Sequence, residues 1–411
     1  MSERRTRDRE LSLSRFVRHA LQHRRALEAM LLGGQAAGVL ASVIVARSVG
    51  PSGRGMLVTL TVWGQILGWL AAFSLDKALV VLTTGNTAVI SPDQGLRAVR
   101  PPVLALSSVA ILAAFLLGRH FFSNIWLTTA MAVFVVATAQ TELVSGWLLA
   151  TGRRQAFILW RLSQPMLYLA ILITLALTLR SANTQGRTVG MGFGAAASVV
   201  VPVIFALPFL PRRPAFGWHG IGPLLRFGAA AQVANILQYL NARLDFLALT
   251  FLVSAQSLGY YSVGASLGQV ALLLASAGFI RGITGEADSI DRVGLSVAAL
   301  LAGIVIVASP VLVPTIFGTS FEPAVPIARI LAIGAVLNYA LQGSSGRLLN
   351  RRHPWILAAS QGVGVVVFAI GIKAFPTLTG VAWSSVGSFI VSLLINQVAL
   401  HVLDQRRVAS P

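Results

Sequence analysis

The stretch GLSVAALLAGIVIVASPVLVPTIF, residues 294–317, contains no acidic or basic side chain. At about 1.5 Å per residue, a helix of this length crosses the roughly 30 Å hydrocarbon core of a bilayer. Its apolar residues run on without the alternation expected of a barrel strand, so the segment reads as a transmembrane helix. Outward from it, similar runs fall at 27–48, 56–82, 101–119, 124–150, 157–179, 188–210, 224–253, 258–280, 324–349, 354–375 and 379–403. The breakers Gly50-Pro51, Pro101-Pro102, Pro211 to Pro214 and Pro376 are read as lying between spans. Composition agrees: 55% of the 411 residues are hydrophobic, 11% are charged and mean hydropathy is +0.77, too apolar a balance to cover a soluble globule.

Charge sets the expected orientation. The formal net charge is +19, but the basic residues are spread through short loops, as expected beside an anionic leaflet and not for nucleic acid. With the N-terminus inside, 22 of the 32 basic residues lie on the inner side. Six lie outside (Arg47, Arg54, Arg119, Arg180, Arg187 and Lys373), and four fall within spans. The positive-inside rule then puts both termini in the cytoplasm of a multi-pass cell-membrane protein. No cleaved signal peptide precedes the first span. In the leader, Leu13, Phe16, Val17, Ala20 and Leu21 share a helical face, so it reads either as an interfacial helix or as a disordered basic tail.

Two internal echoes organise the spans. Gly55 followed by Gly64-Gln65 recurs as Gly259 followed by Gly268-Gln269, 204 residues later, and Arg153-Arg154 recurs as Arg351-Arg352, 198 residues later. They place span 1 opposite span 7 and the loop after span 4 opposite the loop after span 10. The expected fold is all-α and integral to the membrane, with about twelve transmembrane helices in two six-helix lobes related by a pseudo-twofold along the membrane normal. The parts would be a basic segment 1–26, a first lobe 27–210, a cytoplasmic linker 211–223, a second lobe 224–403 and a tail 404–411. No stretch is large or polar enough for an extramembrane enzyme domain.

Ala46-Arg47-Ser48-Val49-Gly50-Pro51-Ser52-Gly53-Arg54-Gly55 resembles the Gly-Pro turn after the first span of Wzx-type polysaccharide flippases, with Val49 where leucine is usual. Asn241-Ala242-Arg243-Leu244-Asp245 with Ser257-Leu258-Gly259-Tyr260-Tyr261 is similar to their span 7 to 8 signature. Ile316-Phe317-Gly318-Thr319-Ser320-Phe321-Glu322-Pro323-Ala324 is similar to their span 9 to 10 loop. The resemblance implies the multidrug/oligosaccharidyl-lipid/polysaccharide exporter superfamily. It also implies a cargo of polyprenyl-linked sugar, specifically undecaprenyl-pyrophosphate-linked, with membrane lipids, polysaccharide polymerase and glycosyltransferases as neighbours.

A charge near the bilayer centre costs about 2.5 to 3.5 kcal/mol on insertion scales, so each should line a cavity, pair, or reach for the headgroups. In span 7, Asn235, Gln238, Asn241 and Asp245 share one arc while Gln232, Tyr239 and Arg243 point the other way. On that reading Asp245 is a cation or proton site or an arginine partner, or else half of a structural interhelical pair. Arg243 is either a pyrophosphate contact or half of a structural pair. Lys77 is read as lining the entry route or reaching inward, with Asp76 beside it as a further coupling candidate. Glu142 either lines the lumen with Thr138, Thr141 and Ser145 or bonds Arg161 or Arg153. Arg161 and Arg329 are read as turning to the headgroups. The candidate cavity residues are therefore Lys77, Arg243, Asp245, Gln238, Asn241 and Glu142, with Asp245, Glu142 and Asp76 as coupling sites.

Other chemistry is excluded at this level. There are no cysteines, no His-x-x-x-His or carboxylate cluster at metal spacing, and no phosphate-binding Gly-x-x-x-x-Gly-Lys loop, so neither catalytic residues nor a cofactor or metal is expected. The expected activity is an alternating-access flippase that passes the pyrophosphate-sugar head of its lipid through a hydrated cationic cavity. The alternatives are a cation-coupled small-molecule or drug antiporter, and a non-transporting scaffold of a polysaccharide assembly complex.

Overall fold

A computed structural model describes residues 2–83, 91–211, 221–268, 292–351 and 353–409. Its helices are α1 (Ser2–Ala72), α2 (Leu75–Thr83), α3 (Pro92–Phe121), α4 (Ile125–Ala150), α5 (Arg154–Thr178), α6 (Thr184–Ala206), α7 (Ile221–Leu252), α8 (Ala255–Gly268), α9 (Arg292–Phe317), α10 (Val325–Asn350), α11 (Pro354–Ala374) and α12 (Leu378–Ala409). Short 3₁₀ turns follow α6 and α9, and no strand occurs among the described residues. Nine stretches there are long and apolar enough to cross a membrane. One of them, Ala36–Val80, holds two crossings, because α1 is broken at Gly50 (φ 67°) ahead of Pro51. Glycine adopts that left-handed backbone freely, and the proline following it cannot supply a helix N–H. α7 and α8 stand at the seventh and eighth expected spans. Much of the eighth, like the 211–223 linker, lies outside the described residues.

The other boundaries follow local chemistry, with two departures from expectation. Pro101-Pro102 does not separate spans. α3 begins nine residues earlier, where Ser91 and Gln94 form a reciprocal capping box and Pro92 takes the first helical position, and it runs on through both prolines. Conversely, the expected continuous span 56–82 is interrupted at Phe73 (φ 51°) and Ser74 (φ 49°), which turn the chain between α1 and α2 without a glycine or proline. Asn124 and Asn183 cap α4 and α6 by accepting from Trp126 N and Gly186 N, each at 2.8 Å.

The six-plus-six repeat is visible in burial. In α4 72% of the most apolar window is buried, and in the stretch containing α10 67%, against 6% for α5 and 22% for α11. Helices four and ten are thus the central posts of their lobes, and α5 and α11 are the most peripheral of these spans. The repeat is visible again where the lobes meet. Gly55 lies against the Ala255 carbonyl and Gly259 against the Pro51 carbonyl. Ala255 is Pro51 advanced by 204 residues, and Gly259 is Gly55 advanced by the same number. The contact is therefore reciprocal, as a twofold requires.

Around it, Arg47 donates to the carbonyls of Ile316 (2.7 Å) and Thr315 at the end of α9. Trp63 Nε1 donates to Thr250 Oγ1 at 3.2 Å, and its ring meets Phe251 edge-on with centroids 5.6 Å apart. The lobes are closed at this end, called the Gly50 end below.

At Gly55 and Gly259 a Cβ would collide with backbone, whereas at Gly303, on the exposed face of α9, nothing lies within 4 Å. Overpacking typically costs about 1 to 3 kcal/mol. Gly55→Ala and Gly259→Ala should each lower the thermal midpoint of the detergent-purified protein by several degrees, while Gly303→Ala leaves it unchanged or raises it.

Candidate functional site

At the opposite end the lobes part around a cavity of about 550 Å³. The first lobe lines it with Ile66, Trp69, Leu70, Ala72, Ser74, Asp76, Lys77, Glu142 and Arg161, and the second with Gln232, Ile236, Tyr239, Leu240 and Gln342. This size suits a small molecule or the head of a larger one.

The interruption at Phe73 and Ser74 builds the polar wall. Ser74 Oγ donates to Gln232 Oε1 across the lobes at 2.6 Å, and Gln232 Nε2 reaches back to the Trp69 carbonyl at 3.4 Å, near the end of α1. Irregular backbone at membrane depth is tolerated where it lines a cavity, and here the Trp69 carbonyl, which also accepts the Phe73 N–H at 3.2 Å, is shared between its own helix and Gln232. Gly146 of α4 lets the Asp76 backbone approach so closely that an added Cβ would stand 2.7 Å from its Cα and carbonyl oxygen. Glu142, one turn before Gly146, shares that face.

The Glu142 carboxylate accepts both terminal amino groups of Arg161, at 2.8 and 3.1 Å. The glutamate side chain is 15% exposed and the arginine side chain 44%. Arg161 thus turns into the cavity and not to the headgroups, because a bidentate carboxylate lies within its reach. Lys77 and Asp76 join the lining from α2. The described lining carries two carboxylates and two cations, so the expected cationic character is replaced by a balanced one.

Span 7 is corrected. The cavity receives Gln232, Ile236, Tyr239 and Leu240, spaced along one helical face, and this is the arc opposite to the one selected from polarity. Asp245 is buried between α7 and α8, where Tyr261 Oη donates to Oδ2 at 2.7 Å and the Phe246 N–H to Oδ1 at 2.8 Å. Arg243 stacks on the Phe246 ring, 5.6 Å from its centroid. Neither is among the residues lining the cavity. The side chains of Asn235, Gln238 and Asn241 lie outside the described residues. Arg329, expected at the headgroups, donates from Nε to the Ile306 carbonyl at 3.0 Å.

Sequence reading did not select Trp69, Ser74, Gln232, Tyr239 and Gln342. Trp69 and Tyr239 meet edge to face across the lobes, centroids 4.3 Å apart. The one available signal was the helical spacing of Gln232 and Tyr239. Among the described residues, no group of three or more histidines and carboxylates gathers that could hold a metal ion.

Residues 103–277, a little under half of the chain, match the family described as polysaccharide biosynthesis protein. No curated protein matches the chain by sequence. By fold it is similar to the lipid II flippase MurJ in an inward closed conformation, at 11% identity and TM-score 0.68, over 92% of this chain and 87% of that one. It is also similar to an inward-facing multidrug resistance MATE family transporter of the MOP superfamily (13% identity, TM-score 0.63, 92% and 96% covered). A third similar structure is that of the MATE multidrug transporter DinF-BH (14%, 0.60, 92% and 94%). The expected all-α, two-lobed multi-pass fold is thus borne out, and it is the fold these three structures share.

Glu142→Ala and Arg161→Ala should each lower the thermal midpoint slightly, and the double variant by less than the sum. Half-exposed pairs are typically worth about 1 kcal/mol or less, so a fully additive double variant would show that the pair is not energetically coupled.

Proposed function

We propose that the chain is an alternating-access flippase that carries the head of a lipid-linked oligosaccharide from the inner to the outer leaflet while the lipid tail stays in the bilayer. The observation that carries this reading is the asymmetry of the lobe interface. It is sealed by reciprocal backbone contact at the Gly50 end and opens around a polar, charged cavity at the Lys77 end. The excess of basic residues puts the Lys77 end inside, so the sealed end is the outer one and both termini are cytoplasmic. The match to a polysaccharide biosynthesis family and the fold shared with a lipid II flippase support the cargo class. A cell-membrane location beside polymerase and glycosyltransferases fits such a cargo.

In this reading Lys77 and Arg161 receive the phosphate oxygens, with Arg161 exchanging its Glu142 contact for the cargo. Trp69, Tyr239 and Gln232 supply the faces and amide that sugar rings bind. Asp245 serves the packing of α7 against α8. A second reading, a cation-coupled antiporter of small molecules, is favoured by the balanced charge of the lining and by the two carboxylates Asp76 and Glu142.

A strain lacking the protein should accumulate lipid-linked oligosaccharide on the inner leaflet, with surface polysaccharide restored by the wild-type gene. The Lys77→Ala/Arg161→Ala variant, present at normal level, should restore at least tenfold less, since each lost charge-assisted bond is worth about 1.5 to 3 kcal/mol. Arg243→Ala should restore it nearly fully. Unchanged glycans in the deletion strain would leave the antiporter reading in its place.

A further inference from the structure

Arg54 is a buried charge that the cavity does not use. It stands at the sealed end, 6% exposed, among the six basic residues that the charge count left outside. Its guanidinium makes four hydrogen bonds. Nη1 donates to the Ser42 carbonyl and Nη2 to Ser42 Oγ, both at 2.7 Å, while Nε donates to Ser262 Oγ at 2.7 Å and Nη2 also to Ser266 Oγ at 3.0 Å. All four acceptors are uncharged, and among the described residues no carboxylate pairs with it.

Burying a cation without a counter-charge costs several kcal/mol, and a clasp between lobes could be made from neutral amides or hydroxyls without that penalty. The charge therefore calls for a use in some other state of the protein. The partition of its donors indicates which. The end of the guanidinium, Nη1 and Nη2, is held by Ser42 of its own lobe. The side, Nε and the remaining N–H of Nη2, is held by Ser262 and Ser266 of α8 in the opposite lobe.

When the lobes separate at this end, the Ser42 contacts travel with Arg54 and the α8 contacts are left behind. The Nε/Nη2 edge that becomes free is a pair of parallel N–H donors, the fork that takes two oxygens of one phosphate. Ser42 keeps it aimed, so little ordering remains to be done on binding.

We propose that Arg54 is an oxyanion-binding residue of the outward-open state, its Nε/Nη2 edge taking a phosphate group in place of Ser262 and Ser266. This rests on the alternating cycle proposed above but not on the identity of the lipid-linked sugar.

The test uses the full chain, which has no native cysteine. Ser266→Cys, in right-side-out vesicles of neutral phosphatidylcholine, is labelled with a membrane-impermeant maleimide from the outer face, with and without external inorganic pyrophosphate. Expected is labelling that pyrophosphate slows. The half-protecting concentration should rise by about ten- to a hundredfold in Arg54→Gln, partly recover in Arg54→Lys, and stay put in Arg119→Gln, an exposed basic residue of the same side outside this contact.

Equal protection in Arg54→Gln would overturn the proposal, and so would no protection in the Arg54 protein. Faster basal labelling of Arg54→Gln with protection retained would reduce Arg54 to a clasp. Absence of labelling under every condition would remove the outward-open state and the alternating cycle with it. Vesicles containing anionic phosphatidylglycerol, without pyrophosphate, separate the two phosphate sources: protection there assigns the fork to a lipid headgroup, and protection by pyrophosphate alone assigns it to the phosphate of a cargo. If surface glycan export proves independent of the protein while Arg54-dependent protection persists, the cargo reading falls and the oxyanion site stands.

Discussion

The architecture depends on one close approach of backbone to backbone. At Gly55 and Gly259 each lobe lays a helix against a carbonyl of the other, in a contact that only residues without a Cβ permit. Because the two halves of the contact exchange under the 204-residue offset, it sits on the axis relating the lobes and holds both at the same depth. Everything else at that end is arranged around it. Arg47 terminates α9 by bonding its last carbonyls, Trp63 reaches Thr250, and Arg54 ties the first limb of α1 to α8. With the lobes joined there, space between them can open only toward the far end.

That far end owes its chemistry to a helix that stops early. Had residues 56–82 formed one helix, α2 would have continued along the axis of α1. The turn at Phe73 and Ser74 instead points α2 across Gly146 and offers Ser74 to Gln232. A left-handed conformation at two non-glycine residues is unfavourable by roughly 1 to 2 kcal/mol each. It persists because the hydroxyl, the amide and the close α4 contact fix the local path. Asp76, Lys77, Glu142 and Arg161 then line one chamber although they come from three different helices.

Crossing segments were legible because lipid imposes length and apolarity on each of them, and the repeat was legible because glycines at a contact are hard to replace. The break at Gly50-Pro51 announced itself by residue type. The break at Phe73-Ser74 did not, since neither residue favours the left-handed backbone found there and its causes are tertiary. Pro101-Pro102 misled for the complementary reason: a capping box at Ser91 starts α3 earlier, and a membrane helix absorbs the prolines. Span 7 shows the limit of polarity as a guide. A polar face can serve a water-filled space or a buried bond, and for Asp245 the deciding partner, Tyr261, sits on a different helix. Arg54 was hidden by its address, since a basic residue next to a Gly-Pro turn reads as loop.

The Glu142–Arg161 pair has a consequence for the empty protein. A carrier whose chamber holds an unmatched charge must drag that charge through the closed intermediate on every unloaded passage, a burden that binds the return stroke to a counter-substrate. In the cycle proposed above the vacant chamber supplies Arg161 with its own counter-ion, so the unloaded form reorients without an unmatched charge at this pair. Such a carrier resets without exchanging one cargo for another. Net flow then follows whatever consumes the cargo at its destination.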